Sequence, residues 1–249
     1  MRVVSLVPSW TETLLHSGVE IIGRTRFCIH PSLVVQDIPV VGGTKEVDWD
    51  LIRDLKPDLI IMDKEENPIA LAEECPFPYL ATRVTSLQTL HDELVRLGEH
   101  FKNHILIELA IQCYDIIQAP TPTWNHHNVP GFIEWVRRPE FREGPVAYVI
   151  WKKPWMAVSK ATFIGSVLEK LGAALVDFTV DEKYPVLELE ELKNIMVLFS
   201  TEPYPFHKKI SDLTELSLTG AVVNGEGFSW FGKRSLDFLT QALIKSSSQ

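Results

Sequence analysis

Several absences narrow what this 249-residue chain can do. No apolar run approaches the ~20 residues of a membrane-spanning helix, so membrane insertion is not expected. Positive charge is in deficit: 24 Lys and Arg face 33 Asp and Glu, for a net charge of -9. That balance argues against a nucleic-acid footprint. Cys28, Cys75 and Cys113 are an odd number, at spacings that match no zinc site or disulfide framework. They read as reduced thiols, the last two buried as small apolar groups. There is no phosphate loop, catalytic triad or HExxH pair, which ranks binding ahead of catalysis. Met1 leads straight into an apolar strand, leaving no room for the basic and apolar regions of an export signal. The expected location is the cytoplasm, or the periplasm if a leader was removed ahead of Met1.

What is present begins with that strand. Arg2 to Val7 holds three valines and reads as a strand buried on both faces of a parallel sheet. Pro8 stops it, and Ser9 with Glu12 makes the Ser-x-x-Glu pattern of a capping box, so a helix starts at the carboxyl end of a first strand. In open α/β sheets ligands bind at that edge, and Trp10 sits on the turn. Val19–Gly23 reads as the second strand. The loop leaving it, Arg24 to Pro31, carries Arg26, Phe27, Cys28 and His30. His30, with Cys28 two positions before it, could ligate a metal; the alternative is a loop histidine paired to backbone.

Gly42-Gly43-Thr44 allows close approach of backbone to a ligand, or a tight turn. Val47 to Leu55 is an amphipathic helix with Asp48 or Asp50 at its amino end, and Asp58 to Met62 is a buried strand. The following loop, Asp63 to Pro68, includes Glu65, Glu66 and Asn67, a set of carboxylates that could bind a cation or an amine but is more often a solvated run. A short helix over 69–74 and a strand near 79–82 complete a first α/β lobe, 1–84.

Residues 85–144 form an interdomain piece. Apolar spacing predicts helix from Ser86 to Phe101 and again from Asn103 to Ile117, the second stretch without glycine or proline, which reads as one uninterrupted, stiff strut. Residues 119–144 are rich in proline and aromatics, and the pair His126-His127 reads as an exposed loop. A second α/β lobe, 145–249, begins with the strand Pro145 to Trp151. A helix over 162–172, strands near 174–176 and 195–200, a short acidic helix over 187–193, a strand ending at Asn224 and a closing helix over 235–244 follow, with 245–249 as a frayed tail.

Nine aromatic residues follow predicted strands: Trp10, Phe27, Trp151, Trp155, Tyr204, Phe206, Phe228, Trp230 and Phe231. If each lobe presents its carboxyl edge to a common cleft, these rings suit a flat or hydrophobic ligand, with about a third of them sealing lobes instead.

The residues also carry a resemblance. The opening Arg2 to Glu12, the block Val41-Gly42-Gly43 with Asp50-Leu51-Ile52, and Leu55 to Ile60 resemble the class III substrate-binding proteins of ABC importers. Tyr148 to Trp151 with Pro154-Trp155, Thr162-Phe163-Ile164, Tyr184-Pro185, Ser200 to Phe206, and Gly225-Glu226 with Phe228 to Gly232 are similar to its cobalamin-binding, or helical-backbone metal receptor, branch. All but 119–144 takes part. The resemblance implies two Rossmann-like lobes with mainly parallel sheets joined by a long rigid helix, and a corrinoid, haem or ferric siderophore held in the interlobe cleft. It implies no required cofactor, a monomer, and an ABC permease as partner, with Glu65 or Glu66 and Glu202 as candidate contacts to permease arginines. Positions matching cleft loops are Ser9, Trp10, Phe27, Cys28, His30, Gly43, Thr44, Glu65, Asn67, Trp151, Trp155, Glu202, Phe206, Phe228 and Trp230. The alternative from another class is a cytoplasmic chelatase-like enzyme acting on a tetrapyrrole, which needs His30 with Glu65 or Glu202 at one metal position.

Overall fold

A computed structural model describes residues 1–178 and 182–247. The chain divides into two compact units, Met1–Asp115 with Trp230–Leu236, and Ile116–Ser229 with Asp237–Gln249. The boundary thus falls inside a helix, away from the expected limits at 84 and 145.

Unit 1 carries four strands, β1 (Val3–Ser5), β2 (Ile21–Arg24), β3 (Leu59–Asp63) and β4 (Tyr79–Thr82), with helices α1 (Pro8–His16), α2 (Ser32–Val35), α3 (Trp49–Leu55) and α4 (Ile69–Glu73) between them. All pairings are parallel in the order β2-β1-β3-β4, so all four carboxyl ends share one edge. β3 is buried along its whole length, as its run of apolar residues requires. Its Ile60 and Met62 pack with Val4, Leu6, Val41 and Ile52 into one core.

Two expectations for unit 1 need correction. α1 has no capping box: Pro8 itself is the first helical residue, Val7 is the cap, and no side chain caps it. Proline has its φ preset and lacks the amide a cap would satisfy, so it starts the helix directly. Glu12 instead pairs with Arg234 through two hydrogen bonds of 2.8 and 2.7 Å. The single strut is also absent. α5 (Leu87–Phe101) and α6 (His104–Gln118) are separate helices. Lys102 adopts a left-handed φ of 49° that ends α5, and Asn103 Oδ1 accepts from the amides of Ile105 and Leu106 to begin α6. A Cβ on Gly98 would lie 2.5 Å from Ile107, and Cys113 Sγ contacts the Leu87 carbonyl at 3.4 Å, so the two helices fold back as an antiparallel hairpin. Of the two, only α6 runs across the unit boundary, between Asp115 and Ile116.

Unit 2 holds β5 (Phe132–Arg137), β6 (Pro145–Lys152), β7 (Trp155–Ala157), α7 (Phe163–Lys170), β8 (Ala174–Leu175), β9 (Val186–Leu187), β10 (Met196–Ser200), α8 (Ile210–Thr214), β11 (Gly220–Val223), α9 (Gly225–Ser229) and most of α10 (Lys233–Ser247). Short 3-10 turns lie at Leu189–Leu192 and Phe206–Lys208. β6, β10 and β11 are parallel neighbours, and β8 joins β6 in parallel; β5, β7 and β9 are antiparallel additions. α10 extends through Ser247, past the predicted limit at 244; of the expected frayed tail, 248–249 lie outside the described residues.

The proline-rich piece is structured rather than a plain loop. β5 lines the sheet edge with Phe132 opposite Val223 and Trp135 opposite Ala221. His126 has no exposed surface. Its backbone amide donates to the Arg142 carbonyl at 2.8 Å, its Nδ1 accepts from Trp124 Nε1 at 3.0 Å, and Phe141 meets its ring edge-on at 5.2 Å. Its neighbour His127 is half-buried, with Nε2 3.1 Å from the Pro139 carbonyl.

Burial holds the His126 pKa below its ordinary 6.5, with His127 adding to the effect and the backbone and carboxylate of Glu143 opposing it. Because the folded pKa is depressed, the unfolded chain takes up this proton first as pH falls. Stability from His126 is therefore complete above about pH 6.5 and is lost as acid is added below it. Urea midpoints at pH 7.5 and 5.0 should fall further for the wild type than for His126→Gln; equal falls would refute this.

α6 ends on another buried polar group. Lys170 Nζ donates to the carbonyls of Ile117, at 3.0 Å, and Ala119, tying α7 to the last turn of α6. Lys170→Met should cost about 1.5–3 kcal/mol, the range for hydrogen bonds to a charged group. Chemical denaturation measures this, and a loss under 0.5 kcal/mol would contradict it.

No described helix is long and apolar enough to cross a membrane.

Candidate functional site

In unit 1, hydrogen bonds stitch together the loops at the carboxyl edge. Asp63, the last residue of β3, is fully buried. Its Oδ1 accepts from Glu65 N at 2.8 Å, and its Oδ2 accepts from Thr82 Oγ1 at 2.6 Å and Val84 N at 3.2 Å. Burial pushes its carboxyl pKa up, and these donors oppose the rise. Trp10 Nε1 donates to the same Thr82 hydroxyl at 2.7 Å. Asn67 completes the network: its Oδ1 accepts from Asp63 N at 2.9 Å, while its Nδ2 donates to the carbonyls of Leu6 at 3.2 Å and Thr44 at 2.9 Å. Loops from three strands and the Gly43 turn are thereby fixed with respect to one another.

Several expected contact residues are part of this scaffold. Trp10 has no exposed surface and packs edge-on against Phe231 at 5.2 Å. Cys28 is also fully buried, 3.0 Å from Thr11 Oγ1 and 3.2 Å from Thr25 Oγ1, and burial pushes its thiol up. It is a small core group rather than a ligand donor. Ser9, Thr44 and Asn67 are buried as well, and Gly43 is closed in, since a Cβ there would meet Glu46 Oε1 at 2.7 Å.

Other residues stay open. Phe27 is 49% exposed, with the Arg26 guanidinium 5.0 Å from its ring centroid and Arg26 paired to Glu46 at 2.6 Å. His30 is half-buried, its ring edge-on to Trp230 at 5.1 Å. Trp230 itself is buried, within the segment 230–236 that returns to unit 1. Glu65 pairs with Arg83 at 3.4 Å.

In unit 2 the parallel strands β6, β10 and β11 end at a second such edge. Trp151 is 39% exposed; its Nε1 donates to the Lys153 carbonyl at 3.0 Å, and Tyr204 meets its ring at 5.6 Å. Trp155 is half-buried and stacked on Phe206, centroids 6.0 Å apart with planes at 9°. Phe206 and Phe228 are fully buried, against Phe199 at 5.3 Å and Tyr148 at 5.2 Å respectively. Glu202 is half-buried and accepts from the Ser229 hydroxyl. It can sit so close to α9 because residue 225 is glycine: a Cβ there would lie 2.3 Å from Ser200 Oγ and 2.7 Å from Glu202 Cγ.

Of the nine expected edge rings, Trp10, Phe206, Phe228, Trp230 and Phe231 are buried, more than the third expected. They lie within their units because each edge needs an apolar base beneath its loops. Sequence reasoning overlooked Asp63 and Thr82. The available signal was an Asp ending an apolar strand, which commonly accepts from the amide two residues on. Among the described residues no group of three or more His, Cys, Asp or Glu could hold a metal ion.

No sequence-family model matches the chain, and no curated relative does. Solved structures do match. The periplasmic vitamin B12 binding protein BtuF of Vibrio cholerae aligns at 16% identity and a TM-score of 0.70, over 100% of this chain and 98% of that one. The periplasmic heme binding protein HutB of Vibrio cholerae aligns at 16% identity and 0.72, over 98% of each. An ABC transporter substrate-binding protein from Listeria monocytogenes EGD-e aligns at 14% and 0.69, over 97% and 96%. The likeness shows a fold shared with these binding proteins along nearly the whole chain.

Proposed function

We propose that this chain is a non-catalytic binding protein for a flat metal chelate of the corrinoid, haem or ferric-siderophore class, delivered to an ABC permease. The carrying observation is that each unit ends its parallel strands in a fixed edge from which aromatic rings remain exposed, Phe27 in unit 1 and Trp151 in unit 2. Neighbours of the same fold are described as binding vitamin B12 and heme, or as serving an ABC transporter.

In this reading Phe27, Trp151 and Trp155 offer ring contact, and His30, Glu65 and Glu202 offer polar contact. His30 is the residue able to reach the chelate's metal. The buried members of the expected set hold the loops instead. Two neighbours are described as periplasmic, which favours that compartment for the same work. The chelatase-like alternative, which needs His30 with Glu65 or Glu202 at one metal position, gains no support from the neighbours, which are described as binding proteins.

Titration of the full chain with haemin, cyanocobalamin and a ferric siderophore, followed by tryptophan fluorescence, tests the reading. Saturable quenching by at least one of them is expected. No response to any would remove it.

A further inference from the structure

On one face of the unit 1 sheet, coverage is limited by helix length. α4 has five residues, against about three turns in an average helix, and the side chain it sets over this face, Ala72, is small. β4 sets the small side chain of Ala81 beneath it. The result is an open slot of about 560 Å³, within the usual range for small-molecule pockets. Met62, 2% exposed, is its floor, while Ile69 at 76% and Tyr79 at 46% stand at its rim.

Two charged residues line the slot, Asp63 and Lys64. The Asp63 carboxylate already accepts from Glu65, Thr82 and Val84. The Lys64 backbone amide donates to the Thr82 carbonyl at 3.0 Å, while its exposed side chain has no hydrogen bond or ion pair among the described residues. An apolar slot with one available cation is complementary to a small hydrophobic anion.

We propose that this slot binds a monocarboxylic acid with an aromatic or branched hydrocarbon body, the body over Met62, Ala72 and Ala81 and the carboxylate at Lys64. The slot shares Asp63 and Asn67 with the loop network of the candidate site, but the proposal requires no chelate and stands or falls without that reading.

The experiment uses 1-naphthylacetate and its uncharged amide as probes on the full chain, by isothermal calorimetry or ligand-observed NMR. The acid should bind more tightly than the amide. Lys64→Gln should weaken the acid about threefold or more, the scale of an exposed charge contact, and leave the amide unchanged. Ile69→Glu, a change at an exposed position that folding tolerates, should weaken the acid further by adding like charge. Ala81→Leu should fill the slot and abolish both interactions. Absence of binding by the wild type at millimolar acid, or equal affinity of acid and amide, would overturn the proposal. So would full retention of acid binding by both Lys64→Gln and Ile69→Glu.

Discussion

Asp63→Ala should lower the unfolding free energy by about 3 kcal/mol or more, because it leaves buried donors without an acceptor. The amides of Glu65 and Val84 and the hydroxyl of Thr82 all donate to this carboxylate, which has no exposed surface. Asp63→Asn keeps the shape but turns one acceptor into a donor facing another donor, so its loss should be intermediate. Urea unfolding gives the stability, and amide exchange at Glu65 and Val84 reports whether the damage starts at this edge. A variant as stable as wild type would mean that the loops are held by something other than this network. The neutral-pH form of Asp63 pays for its burial through those three donors, which is why its removal costs more than that of an exposed carboxylate.

Phe206→Ala should be comparably severe in unit 2, at about 3–5 kcal/mol, the range for removing a large buried aromatic side chain. The ring is fully buried and touches Tyr204 at 4.6 Å, Phe199 at 5.3 Å and Trp155 at 6.0 Å. A cavity here removes the base on which Trp155 stacks, so the near-ultraviolet circular dichroism of tryptophan should weaken in parallel. Phe206→Leu fills part of the space and should recover about half of the loss. If alanine is tolerated with less than 1 kcal/mol of loss, Phe206 is not the support for this edge.

These two residues illustrate what the sequence made legible. Phe206 was recognisable as a ring after a strand, but its facing was not, because three other rings from separate positions decide it. Asp63 was invisible as a hub, since Thr82 and Val84 come from the next strand and its exit. Elements with continuous apolar runs were readable: β3 was predicted within a residue, and Asp48 caps α3 with its side chain accepting from Asp50 and Leu51. β5 was not readable, because it is an edge strand with Phe132, Ile133 and Glu134 exposed, flanked by prolines. The α5–α6 break was hidden for a different reason. Both helices bury an apolar face, so the pattern runs on through it, and Lys102 takes the left-handed position where glycine would have signalled a stop. His126 looked solvated beside His127, yet Trp124 and Phe141 enclose it from both sides in sequence.

In the proposed function the exposed edge rings, and not the buried ones, take a metal chelate. Soret-band titration with haemin tests it most directly on wild type, Phe27→Ala and Trp151→Ala, each checked for an unchanged unfolding midpoint. Saturable uptake by wild type and at least tenfold weaker uptake by Trp151→Ala are expected. Uptake by the variants that matches wild type would contradict it.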